Sequence, residues 1–208
     1  DGGPPKKYAL LIVDGLALDQ WVVLRDTLKG QLSSNVQIEE DGTYAWVPTL
    51  TGVSRQAIFA GKPPMYFATS IGSTSKEKTM WSIFWESKGA TKSEVDYVRE
   101  GKDQPDSDFL EKVITAAEHP RMRLLGVIIG KIDRMIHGAV TGSAGLHGSV
   151  KHWANDGAMK KLIEALLEQR YEIFLTADHG NIEASGIGKP DVGVVADERG
   201  ERAHIFND

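Results

Sequence analysis

Short, nearly continuous apolar runs alternate along this chain with longer stretches in which apolar residues recur at helical spacing. The runs at residues 8–13, 124–130 and 172–175 are typical of strands buried on both faces of a sheet. A shorter strand is predicted at residues 36–39, before the Asp41-Gly42 turn. Helices are predicted at residues 18–32, 54–60, 79–86, 107–117 and 150–169. This alternation predicts an α/β fold with a mostly parallel sheet and helices on both faces.

Between these elements, clusters of glycine, proline and small polar residues predict surface loops. They include the glycine-rich passage at residues 138–148. The other predicted loops are residues 61–64, 72–78 and 186–200. We find no internal repeat and no low-complexity tract. The chain begins almost on a core strand and ends soon after residue 204, so residues 1–208 are predicted to be one domain excised from a larger protein.

The composition is that of an ordinary globular domain. The chain has 208 residues, of which 41% are hydrophobic and 25% are charged, enough to bury a full core. No apolar run approaches the roughly 18 residues that cross a bilayer, and a signal peptide pattern is lacking. The expected location is therefore the cytoplasm, with no membrane partner.

Charge and cysteine content narrow the chemistry. The chain has no cysteine, so any metal ion must be held by nitrogen and oxygen ligands. The net charge of −5 argues weakly against a surface that binds duplex nucleic acid, because such surfaces depend on Lys and Arg. Carboxylates gathered at a metal site inflate this negative count, so net charge says little about the substrate.

Polar residues with metal-binding chemistry follow the predicted strands. Asp14 follows the first run, Asp133 comes shortly after the second, and Asp178-His179 follow the third. Open α/β sheets hold their ligands at the carboxyl ends of their strands, and carboxylates and imidazoles suit divalent metals. Two further histidines, His137 and His204, accompany this set, which thus contains three of the six histidines in the chain.

Each of these residues also has a structural alternative. Asp14 alone is as well explained as the cap of the following helix. His137 and His204, taken singly, are more often histidines satisfied within the fold. The arrangement of the whole set at strand ends favours a site with two metal ions.

A hydroxyl-rich turn supplies a candidate nucleophile. Thr51 lies just before the predicted helix at residues 54–60, where free N–H groups and the positive helix end attract an anion. Arg55 offers a planar donor fork for phosphate. The alternative is that Thr49, Thr51 and Ser54 merely cap the helix.

Tryptophans offer stacking surfaces for nucleobases at Trp46, Trp81, Trp85 and Trp153. Trp81 and Trp85 are four residues apart, so we expect them to form one helix face packed on the core. The tryptophans do not decide the substrate.

Together these motifs resemble the alkaline phosphatase superfamily, and within it the PglZ domain of bacterial BREX phage-defence systems. The resemblance spans residues 14–204 and rests on four segments. These are Val13-Asp14-Gly15, the run from Pro48 to Arg55, Asp133-Arg134-Met135-Ile136-His137 and Thr176-Ala177-Asp178-His179-Gly180-Asn181, followed by His204. Val53 departs from the related sulfatase signature, which has proline at that position.

The resemblance implies a three-layer alkaline-phosphatase-like sandwich with two divalent ions, Zn²⁺ first and Mn²⁺ second. It implies that Asp14, Asp178 and His179 bind the ion that activates Thr51, itself a ligand, and that Arg55 is a catalytic residue. Asp133, His137 and His204 would then bind the second ion. Phosphodiesterases of the superfamily use threonine as the nucleophile, so Thr51 favours phosphate over sulfate esters.

The expected function is therefore a metal-dependent phosphoester hydrolase, of the phosphodiesterase or nuclease type, acting in phage defence. Its expected partners are a phosphoester substrate such as a nucleic acid or nucleotide, and other defence proteins. Two alternatives stay open: a phosphomonoesterase or sulfatase-like hydrolase, and a non-catalytic module of a defence complex that binds metal and nucleotide.

Overall fold

The computed structural model describes residues 5–138 and 142–184, and the backbone alone of residues 197–198 and 204–205. The strands are β1 (Lys7–Val13), β2 (Val95–Arg99), β3 (Leu124–Ile129), β4 (Tyr171–Ala177), β5 (Asp197–Glu198) and β6 (His204–Ile205). The helices are α1 (Leu18–Gln31), α2 (Thr51–Ala60), α3 (Glu77–Glu86), α4 (Asp106–Glu118), α5 (Lys131–Gly138), α6 (Gly142–Asn155) and α7 (Ala158–Glu168). Short 3-10 helices span Pro64–Ser70 and Lys92–Glu94.

Four strands form one parallel sheet in the order β2-β3-β1-β4, and β5 pairs antiparallel with β6. β1 lies between β3 and β4, with Val13 opposite both Ile129 and Ala177. The carboxyl ends of the three strands therefore meet at one edge of the sheet. The predicted α/β fold with a parallel sheet is confirmed.

Alternate residues of the central strands pack into two separate hydrophobic cores, one on each face of the sheet. On one face, Leu11 and Val127 pack in a cluster with buried residues of α1, α4, α6 and α7. On the other face, Ile12 and Ile128 pack with Phe59 of α2 and with Trp81 of α3. Strands covered on both faces must be apolar at every position, which explains their continuous apolar runs. The result is a three-layer arrangement of helices, sheet and helices.

The prediction that Trp81 and Trp85 form one helix face packed on the core is confirmed. Trp81 and Trp153 are buried, and Trp85 packs edge-on against Trp81 with ring centroids 5.5 Å apart. Trp46, in contrast, is 47% exposed. Trp85 is partly buried, so Trp46 is the most exposed of the four.

One strand prediction was wrong, and one strand of the central sheet was not predicted. Residues 36–39 form no strand, because the segment is held to α1 by side chains: Glu40 accepts hydrogen bonds from Trp21 and Arg25. Strand β2 was missed, since its polar residues Asp96 and Arg99 interrupt the apolar pattern at this edge of the sheet.

Several helix boundaries also differ from prediction. The predicted helix at 150–169 is two helices, α6 and α7, separated at Gly157, whose φ of 81° is left-handed. Most of the passage predicted as a loop at 138–148 belongs to α5 and α6, and residues 139–141 lie outside the described residues. The predicted loop at 72–78 ends early because α3 begins at Glu77. Of the predicted loop at 186–200, only the backbone of 197–198 is described.

A search of the described residues for a helix both long and apolar enough to cross a bilayer found none.

The glycine at position 52 is required by the close approach of another backbone segment. A Cβ on Gly52 would lie 2.6 Å from the carbonyl oxygen of Ile71, whereas a Cβ on Gly30 of α1 meets nothing within 4 Å. We expect Gly52→Ala to lower the free energy of unfolding by roughly 1–3 kcal/mol through overpacking. Gly30→Ala should raise it by up to about 1 kcal/mol, because alanine favours the helix. Urea unfolding measures both, and effects of the same sign would contradict the packing described.

Candidate active site

Three ligand-type side chains meet where β1 and β4 end. Asp14 follows β1, and Asp178 and His179 follow β4, so the parallel register places them side by side. One ligand atom from each lies within 4.8 Å of the other two. His179 Nε2 is 3.9 Å from Asp14 Oδ1 and 3.8 Å from Asp178 Oδ2. Residues 164 positions apart thus share one site, as the strand-end argument predicts.

The backbone at both strand ends fixes the Asp178 carboxylate. Its Oδ1 accepts hydrogen bonds from the N–H groups of Gly15, at 3.0 Å, and of His179, at 2.9 Å. Gly15 adopts a left-handed φ of 72°, which other residues rarely do. The turn after β1 therefore orients the carboxylate after β4.

The remaining oxygens of this cluster lack partners. Asp14 Oδ1 and Asp178 Oδ2 are buried and have no hydrogen bond to any residue in the part of the chain described. Buried carboxylate oxygens are seldom left unpaired, because their lost hydration is costly. Both oxygens lie beside His179 Nε2, so the three atoms fit the ligands of one divalent cation.

The imidazole of His179 is oriented by the backbone of the next residue. Its Nδ1 lies 2.9 Å from the carbonyl oxygen of Gly180, which can only accept a hydrogen bond. Nδ1 therefore donates to this carbonyl, and Nε2, which faces the carboxylates, carries the lone pair when the ring is neutral. A backbone acceptor on one ring nitrogen is the usual companion of a histidine that binds metal through the other.

The hydroxyl of Thr51 lies next to Nε2 of the His179 imidazole. Thr51 Oγ1 is 3.0 Å from His179 Nε2, within hydrogen-bonding distance. Thr51 is the first residue of α2, not the residue before the helix as predicted, and the N-cap is Leu50. The Thr51 hydroxyl makes no side-chain cap, so the capping alternative does not describe it.

The guanidinium of Arg55 is bound by carboxylates. Arg55 is 1% exposed; Nη1 is 2.6 Å from Asp14 Oδ2, and Nε is 2.8 Å from Glu77 Oε1. Asp178 Oδ2 is 3.8 Å from Nε. The donor fork predicted to hold phosphate is thus bound to Asp14 and Glu77, and a contact of Arg55 with substrate stays a prediction.

Charge crowding is the dominant electrostatic feature of the site. Burial, and then the charge of Asp14, raises the pKa of Asp178 to about 7. Burial alone would lower the pKa of Arg55, but Asp14, Glu77 and Asp178 outweigh it and raise that pKa overall. Negative charge therefore exceeds what the one guanidinium neutralises, a condition that a bound cation relieves.

Part of the predicted second metal set lies beside this cluster. Asp133 lies in α5, not at a strand end, with its Cα 3.8 Å from where a Cβ on Gly15 would be. Asp133 Oδ1 is 3.4 Å from Nε2 of His137, whose side chain is 79% exposed. Burial and then the charge of Asp14 raise the pKa of Asp133. His204 lies in β6, but its side chain is outside the described residues, so its part in the set stays a prediction.

A cavity of about 610 Å³ opens onto the cluster and is lined by both Asp178 and His179. Its walls include Ser54 and the whole segment 39–46, which ends at Trp46. Ser54 is 2% exposed, and its hydroxyl has no hydrogen-bond partner among the described residues. A volume in this range suits a small-molecule ligand.

Sequence reasoning missed three supporting residues. Asn181 donates to the Gly15 carbonyl at 2.7 Å and to Gln20 Oε1 at 2.9 Å, tying the two strand ends together. Asn181 stands in the Asp-His-Gly-Asn motif, which is the signal that points to it. Gln20 and Glu77 carry no comparable signal, since an amide in a helix and a glutamate near a loop have no distinctive pattern.

The fold and the cluster at its strand ends define an alkaline phosphatase-like domain. The family model for the BREX system PglZ alkaline phosphatase-like domain matches residues 1–207, so the chain belongs to the PglZ family. Membership supports a phosphoesterase-like hydrolase of BREX phage-defence systems. A comparison with curated proteins gave no significant match.

The bridging role of Asn181 can be tested by stability. Asn181→Ala removes both donated bonds and leaves the Gly15 carbonyl and Gln20 without this partner. We expect the free energy of unfolding in urea to fall by roughly 1–3 kcal/mol. Asn155→Ala, at the exposed end of α6, is the matched control and should change it by less than about 0.5 kcal/mol. Equal effects of the two substitutions would mean that Asn181 does not tie the strand ends.

Proposed function

We propose that this domain is a metal-dependent phosphoester hydrolase of the phosphodiesterase or nuclease type, with Thr51 as its nucleophile. The observation that carries the proposal is the 3.0 Å contact between Thr51 Oγ1 and His179 Nε2, beside the two unpaired carboxylate oxygens. A hydroxyl at the first position of a helix, next to three side chains that could hold a metal ion, is suited to attack on phosphorus.

The ligand chemistry supports two metal sites of unequal completeness. Asp14, Asp178 and His179 would hold the first ion, together with Thr51. Asp133, His137 and His204 would hold the second. Nitrogen and oxygen ligands of this kind suit Zn²⁺, with Mn²⁺ as the next choice. When bound, such ions lower the pKa of a hydroxyl group and neutralise negative charge in phosphoryl transfer.

Side-chain and backbone groups of the protein supply the nucleophile and position the phosphate. In the reaction proposed, Thr51 Oγ1 forms a bond to phosphorus and the bond from phosphorus to the leaving oxygen breaks. With a diester substrate, one alcohol leaves and the intermediate is a phosphodiester between Thr51 and the retained ester group; its hydrolysis by water releases the phosphate monoester and restores the hydroxyl. The Leu50 carbonyl accepts hydrogen bonds from the N–H groups of Val53 and Ser54, so the N–H groups of Thr51 and Gly52 are the ones that would face the negative charge of the phosphate. The buried hydroxyl of Ser54 has no hydrogen-bond partner among the described residues and would donate to the substrate.

The cavity supports a diester substrate. About 610 Å³ beside Asp178 and His179 exceeds what a bare phosphate needs and leaves room for an ester group. Trp46, 47% exposed on the cavity wall, offers that group a face for stacking. Other proteins of the defence system would then bring the physiological substrate, a nucleotide or nucleic acid, to the site.

Turnover of two chromogenic esters tests the proposal. The purified chain is supplied with Zn²⁺ or Mn²⁺ and offered bis-p-nitrophenyl phosphate and p-nitrophenyl phosphate. We expect the diester to be hydrolysed faster. Thr51→Ala should reduce its kcat by at least about 100-fold, since the nucleophile is lost. Thr49→Ala, a nearby hydroxyl loss, is the control.

Three results would count against the proposal. Faster turnover of the monoester would favour a phosphomonoesterase. Metal binding without turnover of either ester would favour a non-catalytic module. Full activity of Thr51→Ala would remove Thr51 from the mechanism whatever the substrate.

A further inference from the structure

A network of four side chains, buried except for the partly buried Tyr97, links strand β2 to the proposed ligand Asp14. We propose that Glu77, held by Tyr97, is a positioning residue for the metal site: it fixes Arg55 so that Asp14 presents a single free oxygen to the cation. The inference rests on the proposed metal site and adds two residues to it. Neither Glu77 nor Tyr97 touches the cluster of ligands itself.

The contacts run in one continuous line. Tyr97, in strand β2, donates its hydroxyl to Glu77 Oε2 at 2.6 Å. Glu77 Oε1 accepts from Arg55 Nε at 2.8 Å, and Arg55 Nη1 donates to Asp14 Oδ2 at 2.6 Å. Asp14 Oδ1 then has no partner among the described residues. Each carboxylate in the line has its oxygens assigned, and the one oxygen left over belongs to a metal ligand.

Burial of the network carries a large desolvation cost. Glu77 is 0% exposed and Arg55 is 1% exposed. Buried ion pairs gain little over well-packed apolar residues of the same volume, because desolvation offsets their attraction. Stability alone therefore does not explain why charges stand at these positions. Control of the neighbouring ligand Asp14 explains why charged residues stand there.

The charge balance supplies the reason. Arg55 faces the carboxylates of Asp14, Glu77 and Asp178, so the ionised cluster carries two negative charges in excess, matching one divalent cation. If Glu77 were neutral, the excess would fall by one. The guanidinium would then be drawn more strongly to Asp14 and Asp178 and would compete with the cation for them.

Tyr97 fixes the plane of the Glu77 carboxylate. Its ring packs edge-on against Phe59, with centroids 5.3 Å apart, so the hydroxyl is held by packing as well as by its hydrogen bond. Loss of the hydroxyl leaves Glu77 Oε2 unpaired and the carboxylate free to rotate. The effect on the metal site should be smaller than that of Glu77 itself, since the charge remains.

Metal affinity of conservative variants tests the inference. Binding of Zn²⁺ and of Mn²⁺ to the whole chain is measured by isothermal titration, with the folded fraction of each variant taken from circular dichroism. We expect Glu77→Gln to weaken the tighter site about 10–100-fold, as outer partners of metal ligands do. Tyr97→Phe should weaken it about fivefold, the order of one hydrogen bond.

Matched controls distinguish a positioning role of Glu77 and Tyr97 from a general effect on protein stability. Glu94→Gln removes an ion-paired carboxylate bonded to Arg123, and Tyr171→Phe removes a buried hydroxyl that bonds the carbonyls of Ala117 and Met122. Neither control belongs to the network, so both should leave the Kd within twofold. Glutamine at position 77 keeps an oxygen for Arg55 and an amide for Tyr97, which favours a folded variant.

The outcomes are distinct. An unchanged Kd in Glu77→Gln and Tyr97→Phe, with lowered thermal stability, would make the network merely structural and overturn the inference. An unchanged Kd in Tyr97→Phe alone would remove Tyr97 from it. Absence of metal binding by the unsubstituted chain would overturn the proposed function and this inference together, whereas normal binding by the variants leaves the proposed function standing.

Discussion

The crowding of buried carboxylates around one guanidinium is the interaction on which the rest of this site depends. Asp14, Asp178 and Glu77 all lie within 4 Å of Arg55, and each is almost fully buried. Like charges in a protein interior repel strongly and lose their hydration, so the arrangement is unfavourable without compensation. Arg55 supplies part of that compensation. We propose that a cation supplies the remainder at the oxygens of Asp14 and Asp178 that have no partner among the described residues.

The parallel sheet makes this crowding achievable. Because β1 is central and in register with both β3 and β4, residues far apart in sequence leave the sheet at the same edge. Gly15 and Asn181 then hold the two strand ends against each other through backbone groups. A rigid scaffold that fixes ligand positions to fractions of an ångström is what a metal site requires. The fold thus determines the geometry, and the few polar residues determine the chemistry.

Most of the fold and the centre of the site could be predicted from the sequence. The strands β1, β3 and β4 are signalled by continuous apolar runs, and Asp14, Asp178 and His179 by their place at strand ends. The role of Thr51 as nucleophile could be predicted only from the family resemblance, because a hydroxyl before a helix is usually a cap. The predicted partnership of Arg55 with phosphate shows the limit: a donor fork suits phosphate and carboxylate equally, and only tertiary packing decides which it meets. The role of Glu77 could not be predicted from the sequence, because its partner Arg55 lies 22 residues earlier in another helix.

Anomalous diffraction from crystals of this chain, grown with Zn²⁺ and measured at the zinc edge, tests the central claim most directly. The account predicts a strong peak within coordination distance of Asp14 Oδ1, Asp178 Oδ2 and His179 Nε2, with Thr51 Oγ1 beside it and Arg55 still bound to Asp14 Oδ2. Well-ordered crystals with no peak at these atoms, or with zinc bound only elsewhere, would contradict it.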